Sequence, residues 1–191
     1  EEARRLEKTD PEQSRSLYLT AADAWKEQRR SPFSRGNYLR LARKGGMDTI
    51  ELLKQAEELM REFADAPEIA RNALWIYYDL ARDALSQKKP DMVWRALKEM
   101  INLSMRHDGD SIAVNGVAML LSRLSHLKEQ GSGLSTPALT DLCGVLENAA
   151  SFLMAGASAT ADGDGPSMRE RLFYAVRRLA GEAGGGRLMM T

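Results

Sequence analysis

A single cysteine, Cys143, in a chain of 191 residues excludes an internal disulfide framework and a cysteine-rich zinc module, since both need several thiols. Two histidines, His107 and His126, leave little material for a histidine metal site. An excess of one charge is also missing: 27 Lys plus Arg balance 27 Asp plus Glu, which argues against a dedicated nucleic-acid or anionic-membrane binder. No apolar run approaches the roughly 20 residues of a membrane span, and no signal-type apolar core follows a basic start. A non-membrane, cytoplasmic protein is the expectation. Alternating Val/Ile/Thr runs are absent too, so strands are not expected. None of the phosphate-loop, dinucleotide, zinc-protease or serine-hydrolase motifs occurs. The chain therefore reads as no enzyme, with no cofactor and no metal. It opens on Glu1 rather than Met, which reads as a piece of something longer.

What remains is an ordinary core-forming composition, 43% hydrophobic and 28% charged, arranged at helical spacing almost throughout. Residues 1–10 favour helix but carry almost no apolar face. Asp10 with Pro11 is a start signal, a capping side chain followed by the imino acid that tolerates the first helical position. Leu17, Ala21, Ala22 and Trp25 follow. Ser31-Pro32 opens a second run through Phe33, Tyr38, Leu41 and Ala42, closed by Gly45-Gly46. Asp48 caps a third, with Ile50, Leu53, Ala56, Leu59, Met60 and Phe63 as its expected stripe. Pro67 opens a fourth (Ile69, Ala73, Leu74, Tyr77, Leu80, Ala81, Ala84), and Pro90 a fifth (Val93, Ala96, Leu97, Met100, Ile101). A sixth spans 111–130 through Val114, Val117, Leu120, Leu121, Leu124 and Leu127. Ser135-Thr136-Pro137 starts a seventh through Leu139, Leu142, Cys143, Leu146 and Phe152. The spacing predicts an all-α domain over 1–155, a flexible linker over 156–165, a C-terminal helix over 166–183 packing on the array, and a disordered tail over 184–191.

The unit from Leu74 to Leu103 joins Tyr77, Leu80 and Ala81 to Val93, Leu97 and Met100 across a Lys88-Lys89-Pro90-Asp91 turn. A fainter echo is Tyr18, Ala21, Ala22 and Trp25 with Tyr38 and Leu41. These units resemble the tetratricopeptide repeat. The resemblance implies antiparallel helical hairpins stacked as a short α-solenoid; a compact helical bundle is the alternative. It also implies a concave face that takes peptide, on which Trp75, Tyr78, Arg82 and Ser86 would stand, with Leu19, Asp23 and Lys26 as their counterparts in the fainter unit.

Trp75, Tyr77, Tyr78 and Trp94 form the most distinctive local cluster, and aromatic side chains with arginine dominate binding hot spots; packing against neighbouring helices is the plain alternative. Charge is segregated locally. Lys26, Arg29, Arg30, Arg35, Arg40, Arg43 and Lys44 oppose only Glu27, whereas residues 48–68 are acidic through Asp48, Glu51, Glu57, Glu58, Glu62, Asp65 and Glu68. The two stretches are expected to be solvated faces or to neutralise each other across a hairpin; phosphate contact by the basic group, with Tyr38 stacking on a base, is one alternative and an acidic protein partner another. Arg169, Arg171, Arg177 and Arg178 repeat the basic pattern. His107 beside Asp108 and Asp110 reads as a helix terminus, His126 as a helix surface or boundary residue and Cys143 as an inert buried thiol. Residues 162–165 look like a calcium loop, but Pro166 stands at the next ligand position.

Together these features predict a non-catalytic adaptor or scaffold binding a protein or peptide partner through a helical groove. A nucleic-acid-associated protein using residues 26–44 is one alternative, and a helical homo-oligomerisation module is another.

Overall fold

The structure is a computed structural model that describes residues 1–27, 31–64, 66–106, 111–129, 131, 133–142, 144–145 and 148–149. Among these residues there is no strand, so the expected all-α class holds. The helices are α1 (Glu2–Leu6), α2 (Pro11–Glu27), α3 (Pro32–Lys44), α4 (Thr49–Glu62), α5 (Pro67–Ser86), α6 (Pro90–Arg106) and α7 (Ser111–Glu129), followed by a helical stretch over 136–142. The chain divides into two compact units, Glu1–Asp79 and Leu80–Thr191, so the border falls inside α5.

In the first unit the helix starts follow their capping side chains. The Gln13 amide donates to Asp10 Oδ1 at 3.0 Å, the Ser34 amide to Ser31 Oγ at 3.2 Å and the Glu51 amide to Asp48 Oδ1 at 2.9 Å. Each bond satisfies one donor that a helix N-terminus leaves without an intrahelical partner. Helix α3 stops because Gly46 takes φ +77°, a left-handed conformation that glycine adopts without a Cβ penalty. The Gly46 amide then reaches Arg43 O at 3.1 Å and the Met47 amide reaches Ala42 O at 3.0 Å, the paired bonds of a Schellman stop. Helix α2 packs on both α1 and α3, and α3 packs on α4. The seam is built from Tyr18, Ala22, Tyr38, Leu39, Leu41, Ala42, Leu52 and Ala56, all buried.

One expected stripe is corrected here. On α4 the buried residues are Leu52 and Ala56, whereas Ile50 is 48% exposed and Leu53, Leu59, Met60 and Phe63 are half-buried. The expected face keeps Ala56 as its buried centre and differs at its edges, where Ile50 falls outside and Leu52 inside, because apolar residues at 50, 52, 53, 56, 59, 60 and 63 cover so wide an arc that spacing alone leaves the edges open. On α5 the expected face is buried except for half-exposed Leu80, and Ala70 and Ile76 are buried as well.

In the second unit α6 packs on α7. Val93, Ala96, Leu97, Met100 and Ile101 are buried as expected, joined by Trp94 and Leu103 from α6 and by Val117, Leu120, Leu121, Leu124 and Leu127 from α7. A second Schellman stop ends α5, with the Lys88 amide on Leu85 O at 3.0 Å and the Lys89 amide on Ala84 O at 2.9 Å. Its left-handed residue is Lys88, at φ 54°, a position where a side chain is strained. The C-terminal linker, helix and tail, with Cys143, His107, Asp108, Asp110, residues 162–165 and the Arg169–Arg178 group, lie outside the described residues.

Two stability outcomes follow from this packing. Lys88→Gly removes left-handed strain and should stabilise the chain by about 0.5–1 kcal/mol. Leu97→Ala empties a fully buried position and should cost about 2–5 kcal/mol. Urea unfolding midpoints measure both, and a Leu97→Ala loss below about half a kcal/mol would contradict the placement.

Candidate interaction site

Trp75 and Tyr78 stand three residues apart on α5, so they share one side of the helix. Their rings meet edge to face, with centroids 5.8 Å apart and planes at 80°, a favoured aromatic geometry. The Arg43 guanidinium lies 5.0 Å from the Trp75 ring centroid. Asp79 fixes it there, accepting from Arg43 Nε at 2.5 Å and from Nη2 at 3.2 Å. The Arg43 and Asp79 side chains are 28% and 16% exposed, so the pair is shielded enough to hold its geometry while one edge stays accessible. Two N–H bonds to one carboxylate fix the plane of the guanidinium, and its charge lies within cation–π range of the indole. The result is a preorganised cluster joining α3 to α5 within the first unit, with Trp75 and Tyr78 both half-buried.

The expected contact residues separate into groups. Trp75 and Tyr78 come together, and Arg43, singled out for its charge alone, joins them. Arg82 and Ser86 continue the same sequence register of α5 but belong to the second unit; both are exposed, and the Ser86 hydroxyl donates to Asp83 O at 2.7 Å. Leu19 is half-buried and closes over the helix stop, where a Cβ on Gly45 would sit 2.7 Å from Leu19 Cδ2. Asp23 and Lys26 are exposed and flank Tyr38. Lys26 Nζ is 5.8 Å from the Tyr38 ring centroid, while burial and then the Asp23 charge push the Tyr38 hydroxyl above its ordinary range. Tyr38 itself is buried and donates to Gln55, a placement that leaves no ring face for stacking on a base.

The basic segment is largely engaged within the chain. Arg43 holds Asp79, Lys44 holds Glu7 at 3.1 Å, Arg40 donates to Asn37 Oδ1 at 3.2 Å and Arg35 donates to Lys26 O at 3.0 Å. The carboxylates of Arg43 and Lys44 come from Asp79 and Glu7, outside the acidic stretch over 48–68. Arg29 and Arg30 lie outside the described residues.

Trp94 lies on α6 in the second unit. It is 2% exposed, and its Nε1 donates to Asp141 Oδ2 at 2.9 Å. Lys98 Nζ reaches the same carboxylate at 2.7 and 3.0 Å. A companion contact runs from the Ser135 amide to Asp91 Oδ1 at 3.0 Å, and these bonds clip the 136–142 stretch to α6. The bonds from Lys98 and then Trp94 hold the Asp141 carboxyl below its ordinary value of 3.8. The Ser135 backbone amide, then its side chain, does the same for Asp91. His126 is exposed on α7.

Among the described residues no group of three or more His, Cys, Asp and Glu is arranged to hold a metal ion, and no helix is long and apolar enough to cross a membrane. No protein-family model, curated protein or solved structure matches the chain.

The clip predicts a pH dependence. A carboxyl whose folded value is lowered contributes stability above its unfolded value and loses it as pH falls through the folded one. The urea midpoint of the unmodified chain should therefore fall as pH drops below about 4. Asp141→Asn keeps an acceptor for Trp94 but discards the charge facing Lys98. Because the Asp141 side chain is 41% exposed, the variant should lose only about 0.2–1 kcal/mol at pH 7, with a shallower acid limb. An identical acid limb in the two proteins would refute the clip.

Proposed function

We propose that the chain is a non-catalytic protein-interaction module, a tetratricopeptide-like helical array that takes a peptide or protein partner on the Trp75–Tyr78 side of α5. The observation that carries this reading is the preorganised cluster itself. Asp79 holds the Arg43 guanidinium, and the half-buried Trp75 and Tyr78 rings meet edge to face beside it, so a partner would not bear the full entropy of ordering them. Tryptophan, tyrosine and arginine are the residue types that most often supply binding energy at the centre of an interface. Asp23 and Lys26 are the charged candidates on α2, and Arg82 and Ser86 are separate candidates in the second unit. One cysteine and no disulfide framework suit a reducing, cytoplasmic setting.

Phosphate binding by residues 26–44 has weaker support, because Arg43 and Lys44 already hold carboxylates and would have to exchange them for phosphate. Self-association remains the outcome by which a partner could be a second copy.

Peptide display against the immobilised chain tests the reading. Selected peptides should bind Trp75→Ala/Tyr78→Ala at least about tenfold more weakly, the scale of a single lost hot spot, while circular dichroism of the variant stays helical. Undiminished affinity would remove α5 as the docking face.

A further inference from the structure

Within the first unit, α3 and α5 meet along one seam and run the same way. A Cβ on Gly36 would sit 3.0 Å from Glu68 Cβ and 3.2 Å from Glu68 O, so the start of α3 touches the start of α5. Two turns further along α3, Arg43 holds Asp79 and lies 5.0 Å from the Trp75 ring centroid, so later turns meet later turns. Residues three and four apart share one side of a helix. Arg40, between Gly36 and Arg43, and Arg71, between Glu68 and Trp75, therefore border the seam at about the same level. Both are exposed. The opposite border is closed, since Leu39 and Ile76 there are buried.

The open border has a definite chemistry. Helix α3 carries Arg35, Arg40, Arg43 and Lys44 and no acidic residue. Two of its cations are neutralised from other elements, Arg43 by Asp79 and Lys44 by Glu7. Arg40 instead bonds a neutral group, the Asn37 amide oxygen at 3.2 Å, so the chain leaves its charge without a carboxylate. Arg71 brings a second guanidinium to the same border, where Glu68 is exposed at the near end; cations outnumber carboxylates there. Past the two arginines stand the Trp75 and Tyr78 rings. Before them, Phe33 lies two turns ahead of Arg40 on the same side of α3 and is 60% exposed.

We infer that the occupant of this face is an acidic peptide segment, laid along the α3–α5 seam with Asp or Glu carboxylates on Arg40 and Arg71 and an apolar side chain against Trp75 and Tyr78. This rests on the docking face proposed above and adds the chemistry of what docks there. A guanidinium fork matches a carboxylate in both shape and charge, which fixes the register of the segment on the seam. Arg43 takes no part in that pairing, because Asp79 already occupies its fork; it braces the indole instead. Complementary charge also favours acidic partners over others during encounter.

Selection from a random-peptide phage library against the whole immobilised chain tests this. Peptides taken by the unmodified protein should be enriched in Asp and Glu over the starting library. Arg40→Gln/Arg71→Gln should bind them about fivefold more weakly, the scale of two exposed charge pairs, and concentrated sodium chloride should erase that difference. Arg40→Glu/Arg71→Glu should select Lys- and Arg-rich peptides instead, and the control Lys54→Gln should match the unmodified chain. Peptides with no acidic excess that still need Trp75 and Tyr78 would overturn this inference and leave the docking face standing. Peptides indifferent to all four residues, or a library that yields none, would overturn both. A dimer that the charge-reversed variant loses, or a thymidine oligonucleotide binding tighter than any selected peptide, assigns the face to a second copy or to nucleic acid and overturns the acidic peptide. Should a variant lose its helical circular dichroism, the composition selected by the unmodified chain decides the question alone.

Discussion

Every helix leaves backbone donors unpaired at its start and acceptors unpaired at its end, and the rest of this structure depends on how nearby residues satisfy them. The connections are short, so the answer must come from within a few positions. Asp10, Ser31 and Asp48 supply it at three starts, and two Schellman turns supply it at the stops of α3 and α5. Those turns set where each helix ends, and therefore which side chains a neighbour meets. Arg43 sits in the last turn of α3, where a cation is also favoured by the helix dipole. Its reach to Asp79 and Trp75 is a consequence of where that helix stops.

Polar side chains in this chain do two different jobs. Arg43–Asp79 and Trp94–Asp141 are attached to buried neighbours and fix elements already held by apolar packing. Glu7–Tyr18–Lys44 joins the end of α1, a helix whose Ala3 and Leu6 are only half-buried, to α2 and α3. The same chemistry thus works beside fully buried neighbours in one place and half-buried ones in the other.

Much of the fold was legible in the sequence because the signals are local. Asp10-Pro11, Ser31-Pro32 and Asp48 mark starts by chemistry that acts over three residues, and Gly45-Gly46 marks a stop by the freedom of one backbone angle. The α4 stripe was misread at its edges, at exposed Ile50 and buried Leu52, because its apolar residues span too wide an arc for spacing alone to set where burial ends. Of the candidate site, Trp75 and Tyr78 could be paired from their spacing on α5. The placement of Arg43 against them could not, since Arg43 and Asp79 lie 36 positions apart and any of several carboxylates would have served. The bond of Trp94 to Asp141 was illegible for the same reason, since the two lie 47 positions apart.

The three indoles of the chain occupy three chemically distinct settings. Trp25 meets the ring of Phe33 edge-on at 5.8 Å, Trp75 lies beneath a guanidinium, and Trp94 is enclosed with its N–H on a carboxylate. Excited indole responds to nearby charge and to water, so each ring carries its own emission signature. Trp25 and Trp75 belong to the first unit and Trp94 to the second, which gives the two halves separate built-in optical reporters. Melting of one half could then be followed by fluorescence without attaching any dye.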